Sequence, residues 1–131
     1  MKTNEIVWNR LSSFLSEDYE VFVLKKFEHC HGYSPYKTWD TVIADLVILM
    51  KHREEWNKET SYQVSQVKSK FGGLRFYIDN ADDFIRGAIE IAELQCTKLC
   101  KTCSSYDCEK VGSSRGPLFA KHCVKCINNF Y

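Results

Sequence analysis

Cys100-Lys-Thr-Cys103 and Cys123-Val-Lys-Cys126 are two Cys-x-x-Cys elements separated by 19 residues. Tight turns present such thiolates two at a time, and two pairs at this separation converge tetrahedrally on zinc. Four cysteines fill the shell and leave no open position for water or substrate, so the expected Zn²⁺ is a structural staple and not a reaction centre. Cys108 in place of one member, or His122 in place of Cys123, would also complete four ligands, but each swap breaks a paired spacing. Cys96, Cys100 and Cys103 together spell the spacing of radical iron–sulfur enzymes. The chain lacks the large barrel that chemistry requires, and Cys96 falls on an apolar helical stripe, so a buried thiol is expected there.

A second group of potential ligands, His29, Cys30 and His31, lies in EHCHGYSP, residues 28–35, where Gly32 and Pro35 indicate a loop. In an extended segment His29 and His31 point the same way and make a two-ligand fragment, although ordinary loop residues beside a turn are the simpler expectation. No His-Glu-x-x-His, Gly-x-Ser-x-Gly or phosphate-cradling glycine loop occurs. An enzyme built on His29, His31 or His122 has no supporting constellation.

Non-covalent chemistry is offered by QVKSKFGGLRFYID, residues 66–79. Two alternating segments joined by Gly72-Gly73 predict a hairpin, because primed two-residue turns need positive φ and glycine supplies it without a Cβ clash. A turn at the two glycines sets Lys70 opposite Arg75 and Lys68 opposite Tyr77. Val67, Ser69, Phe71, Leu74, Phe76 and Ile78 then face a core, while Gln66, Lys68, Lys70, Arg75, Tyr77 and Asp79 face outward. Like charges directly across a ribbon are mildly unfavourable, so a compensating anion is expected, either Asp79, Asp82 or Asp83 within the chain or an acidic protein or phosphate outside it, for which Lys68, Lys70, Arg75 and Tyr77 are the candidate contacts. The bland alternative is a solvated sheet face.

Around this hairpin the chain must supply helices. Thr3 or Asn4 can cap a first one, with Ile6 or Val7, Leu11, Phe14 and Leu15 as its stripe and Trp8 beside it. From Ser16 the signals conflict, a Ser-Glu-Asp helix start against Tyr19, Val21, Phe22 and Val23, and residues 16–37 stay unassigned. Thr38 opens the clearest helix, in which Trp39, Val42, Ile43, Leu46, Leu49 and Met50 recur at three- and four-residue steps. Residues 57–61 link it to the hairpin. Asp79 or Asn80 then caps a further helix with Ile85, Ala88, Ile89, Ala92, Cys96 and Leu99 on one side, broadened by Phe84, Ile91 and Leu94. Gly87 in its middle is expected to permit close packing against the sheet.

Length and composition frame these elements. The 131 residues suit one α+β core domain, residues 1–99, with helices on a β-hairpin or small antiparallel sheet, and a zinc-ribbon-like module, residues 100–131, packed on it. Eighteen Lys and Arg against seventeen Asp and Glu give a formal charge of +1, too little for a global field toward nucleic acid. From Cys96 onward six cations face Asp107 and Glu109, and a four-thiolate zinc site offsets part of that excess. The first residues are broken by charges, and no later apolar run spans a bilayer. A reducing cytoplasm is therefore expected, in which seven cysteines serve as ligands and buried thiols.

VKSKFGGLRFYID, preceded by a Trp-led helix and followed by an Asp-rich helix start and a Cys-x-x-Cys pair, resembles a group of small phage and prophage proteins. These carry a KFGGLRFY-type segment ahead of a short zinc-binding tail. The likeness covers residues 39–126, about two thirds of the chain. Many members end the tail with Cys-x-x-His where this sequence has Cys123-x-x-Cys126, a change that keeps a zinc shell. The group has no settled activity, so the resemblance implies phage origin and an accessory role in the host cell, with no residue-level function. The expectation is a non-enzymatic protein that binds and modulates a host macromolecule, first a protein of a defence system or of transcription. Nucleic-acid binding through the basic hairpin face, with help from Lys121 and Lys125, is the alternative.

Overall fold

Val7 and Leu11, four residues apart, are both fully buried, and that spacing makes the first helix, α1 (Thr3–Leu11), pack along one side. The computed structural model describes residues 1–99 and, beyond them, the two short strands β4 (Gly112–Ser113) and β5 (Lys121–His122). Neither Thr3 nor Asn4 caps α1: Lys2 holds the N-cap position without a side-chain bond. Asn4 instead donates its amide to the Leu24 carbonyl at 2.9 Å, tying α1 to the next helix. Leu15 is buried past a 3-10 turn at Ser12–Phe14, whereas Ile6 and Phe14 stay exposed.

The unassigned stretch becomes a 3-10 turn, Glu17–Tyr19, running into α2 (Glu20–Lys26). The helix-start signal prevails over the β-branched residues because Val23 and Phe27, again four apart, both reach the core. The expected loop of residues 28–35 hides a two-residue strand, β1 (Tyr33–Ser34), too short to leave a periodicity. A 3-10 turn at Lys37–Trp39 precedes α3 (Asp40–Trp56), so the helix proper opens at Asp40 and not at Thr38. Its stripe is core as expected, with Trp39, Val42, Ile43, Leu46 and Met50 buried and only Leu49 partly out, and Val47 joins them. Each such side chain contributes roughly 1.5–3 kcal/mol relative to an exposed one.

β2 (Gln63–Lys70) and β3 (Gly73–Asp79) pair antiparallel, and β1 pairs with β2 in parallel, giving the order β1-β2-β3. The sheet is thus mixed, where a purely antiparallel one was expected. A parallel neighbour needs a crossover, and α3 supplies it between β1 and β2. β2 also begins three residues before the expected hairpin, with a bulge between Val64 and Gln66. Val64 and Val67 are both fully buried although three residues apart, an odd spacing that strict alternation would send to opposite faces. The extra residue, Ser65, absorbs the mismatch, and its carbonyl accepts the His31 amide at 2.8 Å.

The turn itself is displaced from Gly72-Gly73. Lys70 pairs with Gly73, Ser69 with Leu74 and Lys68 with Arg75, so the two turn residues are Phe71 and Gly72, both at positive φ, 53° and 77°. Moving the turn by one residue changes every cross-strand partner by two positions, and the two faces keep their membership. Val67, Leu74 and Phe76 are buried as expected, but Phe71 leaves the core and stands 70% exposed.

After β3, Asn80 takes a left-handed φ of 63° and the cap falls on Asp82, not on Asp79 or Asn80. The Asp82 carboxylate accepts the Ile85 amide at 3.0 Å and starts α4 (Asp83–Lys98). Ile85, Ile89, Ala92 and Cys96 point inward against β3 and α3, and Leu99 closes the same core. Gly87 does not approach the sheet, since a Cβ built there meets nothing within 4 Å.

Candidate functional site

All the buried residues of the sheet lie on its Val64, Val67, Leu74, Phe76 side, where the helices pack. The opposite face is exposed or half-buried and presents Ser34, Gln66, Lys68, Lys70, Arg75 and Tyr77, with the acidic Asp79 at the far end of β3. The displaced register makes Lys68, not Lys70, the direct neighbour of Arg75, while Lys70 stands opposite Gly73. Lys68 still reaches Tyr77 on the diagonal, its Nζ 5.9 Å from the ring centroid. Tyr77 itself is 43% exposed. Arg75 folds back to donate to the Leu74 carbonyl at 3.0 Å, and Lys70 lies 5.6 Å over the Phe71 ring. The four expected contact residues therefore share one face, with Phe71 added at its tip.

Among the described residues no ion pair holds Lys68, Lys70 or Arg75, whereas the cations that build the fold are all engaged. Arg10 grips the buried Asp40 through Nη2 at 2.8 Å and Nε at 3.2 Å, donates to the Pro35 carbonyl, and lies 4.8 Å over the Tyr33 ring. Burial pushes the Asp40 carboxyl up against the pull of Arg10, and burial together with Asp40 pushes the Tyr33 phenol well up. This cluster clasps the β1 strand to α1 and α3, with the Arg10 and Asp40 side chains 17% and 7% exposed. Lys26, 3% exposed, pairs with Glu54 at 2.8 Å and reaches the Ser61 hydroxyl at 3.2 Å.

Among the described residues the His29, Cys30, His31 group is not joined by further ligands into a metal site. Cys30 is buried with its thiol on the Gly32 carbonyl at 3.3 Å, and burial pushes that thiol up, while His29 and His31 are exposed. Among the described residues no group of three or more His, Cys, Asp or Glu is placed to hold a metal ion. Cys96 is the buried thiol expected of it, pushed up to about 12 by burial and then by Glu93. Cys100, Cys103, Cys108, Cys123 and Cys126 lie outside the described residues, as does Lys125. Of the intervening chain, β4 and β5 pair antiparallel, Gly112 with His122 and Ser113 with Lys121.

A second surface feature escaped the sequence. Between α3 and α4 runs an apolar groove of about 510 Å³, lined by Val42, Leu46 and Leu49 on one side and Phe84, Gly87 and Ile91 on the other. Phe84, Ile91 and Leu94, assigned from periodicity to the inward side of α4, are instead 43%, 60% and 55% exposed. The signal that marks them is that, with Gly87 between Phe84 and Ile91, they follow at steps of three, four and three along a stripe distinct from the one of Ile85 and Ile89. No helix of the described residues is long and apolar enough to cross a membrane. Comparison with protein-family models, with curated proteins and with solved structures finds no match for the chain.

Proposed function

We propose that the chain acts by binding, not by catalysis, and that the outer face of β2 and β3 is its contact surface for an acidic patch on a host protein. The observation that carries this reading is the grouping of Lys68, Lys70, Arg75 and Tyr77 on one face that no described helix packs on, without an ion pair among the described residues. Three cations so close repel one another, and an anionic partner relieves that repulsion while steering association. Phage origin and an accessory role in the host cytoplasm belong to the same proposal and rest on the KFGGLRFY resemblance.

The second part concerns the metal. Two Cys-x-x-Cys pairs form a donor set of four soft thiolates that fits zinc, so Cys100, Cys103, Cys123 and Cys126 would hold a structural Zn²⁺ in a ribbon-like module of residues 100–131. The metal would supply a cross-link and no reaction. The β4–β5 ribbon lies between the pairs in sequence and supports this reading, since its antiparallel course returns the chain toward its start just before Cys123. Native mass spectrometry of the full chain should show about one zinc per chain, lost in Cys103→Ser. A metal-free wild-type chain, or a Cys103→Ser variant that keeps its zinc, contradicts the assignment.

The test of the contact surface is capture from host lysate on the wild-type chain and on a Lys68→Glu/Arg75→Glu variant in parallel. A protein retained by the first and lost from the second is the expected result. Identical captured sets, or none above background, would count against it. Nucleic acid is the second reading, favoured by Phe71 and Tyr77 standing exposed among the cations, where bases could stack. It predicts a salt-sensitive shift of single-stranded oligonucleotides that the same double substitution abolishes.

A further inference from the structure

α4 carries two apolar stripes and the fold uses one of them. Ile85, Ile89, Ala92 and Cys96 are buried inward. On the outside Phe84, Gly87, Ile91, Leu94 and Lys98 follow one another at steps of three, four, three and four, the alternation of a coiled-coil seam. Phe84, Ile91 and Leu94 along it are 43%, 60% and 55% exposed, and the groove floored by Leu46 and edged by Leu49 runs beside them. At Gly87 the seam has an open notch, with nothing within 4 Å of a Cβ placed there.

We propose that this seam is a self-association surface, on which α4 of a second copy packs antiparallel, so that α3 and α4 of both copies form a four-helix bundle. The pattern is self-complementary in that orientation. Ile91 of each copy enters the notch at Gly87 of the other, and Phe84 of each lies over Leu94 of the other, the two-fold axis repeating both layers. A parallel pairing would set Gly87 on Gly87, leaving a void, and Lys98 on Lys98, two like charges on the seam. Antiparallel packing brings the last turn of one helix, with Lys98, to within a turn of Asp83 at the start of the other, which also opposes the helix dipoles favourably. Glu90 flanks the axis in both copies and sets a small like-charge cost at an exposed position.

At about 200 Å² for a fully exposed large side chain, Leu49, Phe84, Ile91 and Leu94 offer roughly 390 Å² of apolar surface per copy, which with the flanking polar rim suits a weak, concentration-dependent dimer. α4 lies on the core side of the sheet, so the dimer keeps both cationic sheet faces free. A bivalent molecule of this kind gains avidity for a partner with repeated acidic patches.

Sedimentation of the full, zinc-loaded chain over about 1–300 μM tests this, the range in which a modest interface associates. A concentration-dependent monomer–dimer equilibrium is expected. Ile91→Glu and Gly87→Leu should each raise the dimer Kd at least about tenfold with the far-ultraviolet circular dichroism unchanged, because both positions are open in the single chain. Phe84→Lys and Leu94→Glu should each weaken the dimer, and together restore it, since the two positions face each other across the antiparallel seam. A monomer throughout, a dimer indifferent to Ile91→Glu and Gly87→Leu, or a double variant no better than its parents overturns the proposal. None of these outcomes depends on Lys68 or Arg75, so the sheet-face reading stands or falls separately.

Discussion

Asp82 shows how much of the fold hangs on single polar contacts. Its Oδ1 accepts from the Ile85 amide and from the buried Tyr62 hydroxyl, both at 3.0 Å, and its Oδ2 from Arg53 Nε at 3.2 Å. Burial pushes its carboxyl up, but the amide, the phenol and the guanidinium outweigh that and hold it below the usual carboxylate range. A lowered folded pKa means the contribution is complete above the unfolded value, near 4, and is lost as pH falls through the lower folded value. Asp82→Ala removes a cap and leaves the Tyr62 hydroxyl without its acceptor, at a cost of about 2–3 kcal/mol near neutral pH. Urea unfolding should read that loss and show it shrinking under acid, whereas a loss constant with pH would contradict the linkage. Lys26 is a parallel case. Its ammonium is buried against Glu54, which also accepts the Tyr62 amide at 3.0 Å. Glu54→Ala strands the charge and should cost about 3–5 kcal/mol, while Lys26→Met/Glu54→Leu should cost much less. Equal losses in the two variants would mean that the charge is not what matters.

At the scale of elements, the hairpin decides its register by its faces. Val67, Leu74 and Phe76 fit the core whether the turn sits at residues 71–72 or 72–73, so the sequence could establish the faces without establishing the turn. The structure puts a phenylalanine in the left-handed region, which costs about 1–2 kcal/mol for a residue with a Cβ, although a Gly-Gly pair stood one step away. Phe71→Asn gives the Asn-Gly pair that this turn prefers and should stabilise the fold by up to about 1 kcal/mol, read as a raised melting midpoint, the lost Lys70 contact offsetting part of the gain. An unchanged or lowered midpoint would show that the Phe71 ring stabilises the turn by more than its strain. The other elements were legible in proportion to their periodicity. α3 and the inner stripe of α4 announce themselves over four turns. β1 has two residues and α2 seven, and both owe their form to the core they meet. The caps were misplaced because Thr3, Asn4, Asp79, Asn80 and Asp82 are all competent side chains, and only tertiary position selects among them.

Across the whole molecule, the helices pack on one side of a three-stranded mixed sheet, and the other side carries the cations. The candidate site was legible as a set of residues, Lys68, Lys70, Arg75 and Tyr77, because alternation assigns faces regardless of turn position. Its pairings, its Phe71 tip and the exposed seam of α4 were not, since each depends on which of two permitted arrangements the core accepts. The central claim is that the cationic sheet face is covered by a partner in the host, and lysine acylation tests it without knowing that partner. The full chain is labelled in buffer and in host lysate, and the reactivity of each lysine is compared by mass spectrometry. Protection of Lys68 and Lys70 in lysate, with Lys37 and Lys58 unchanged, is the predicted result. Equal reactivity of Lys68 and Lys70 in the two media would contradict the account.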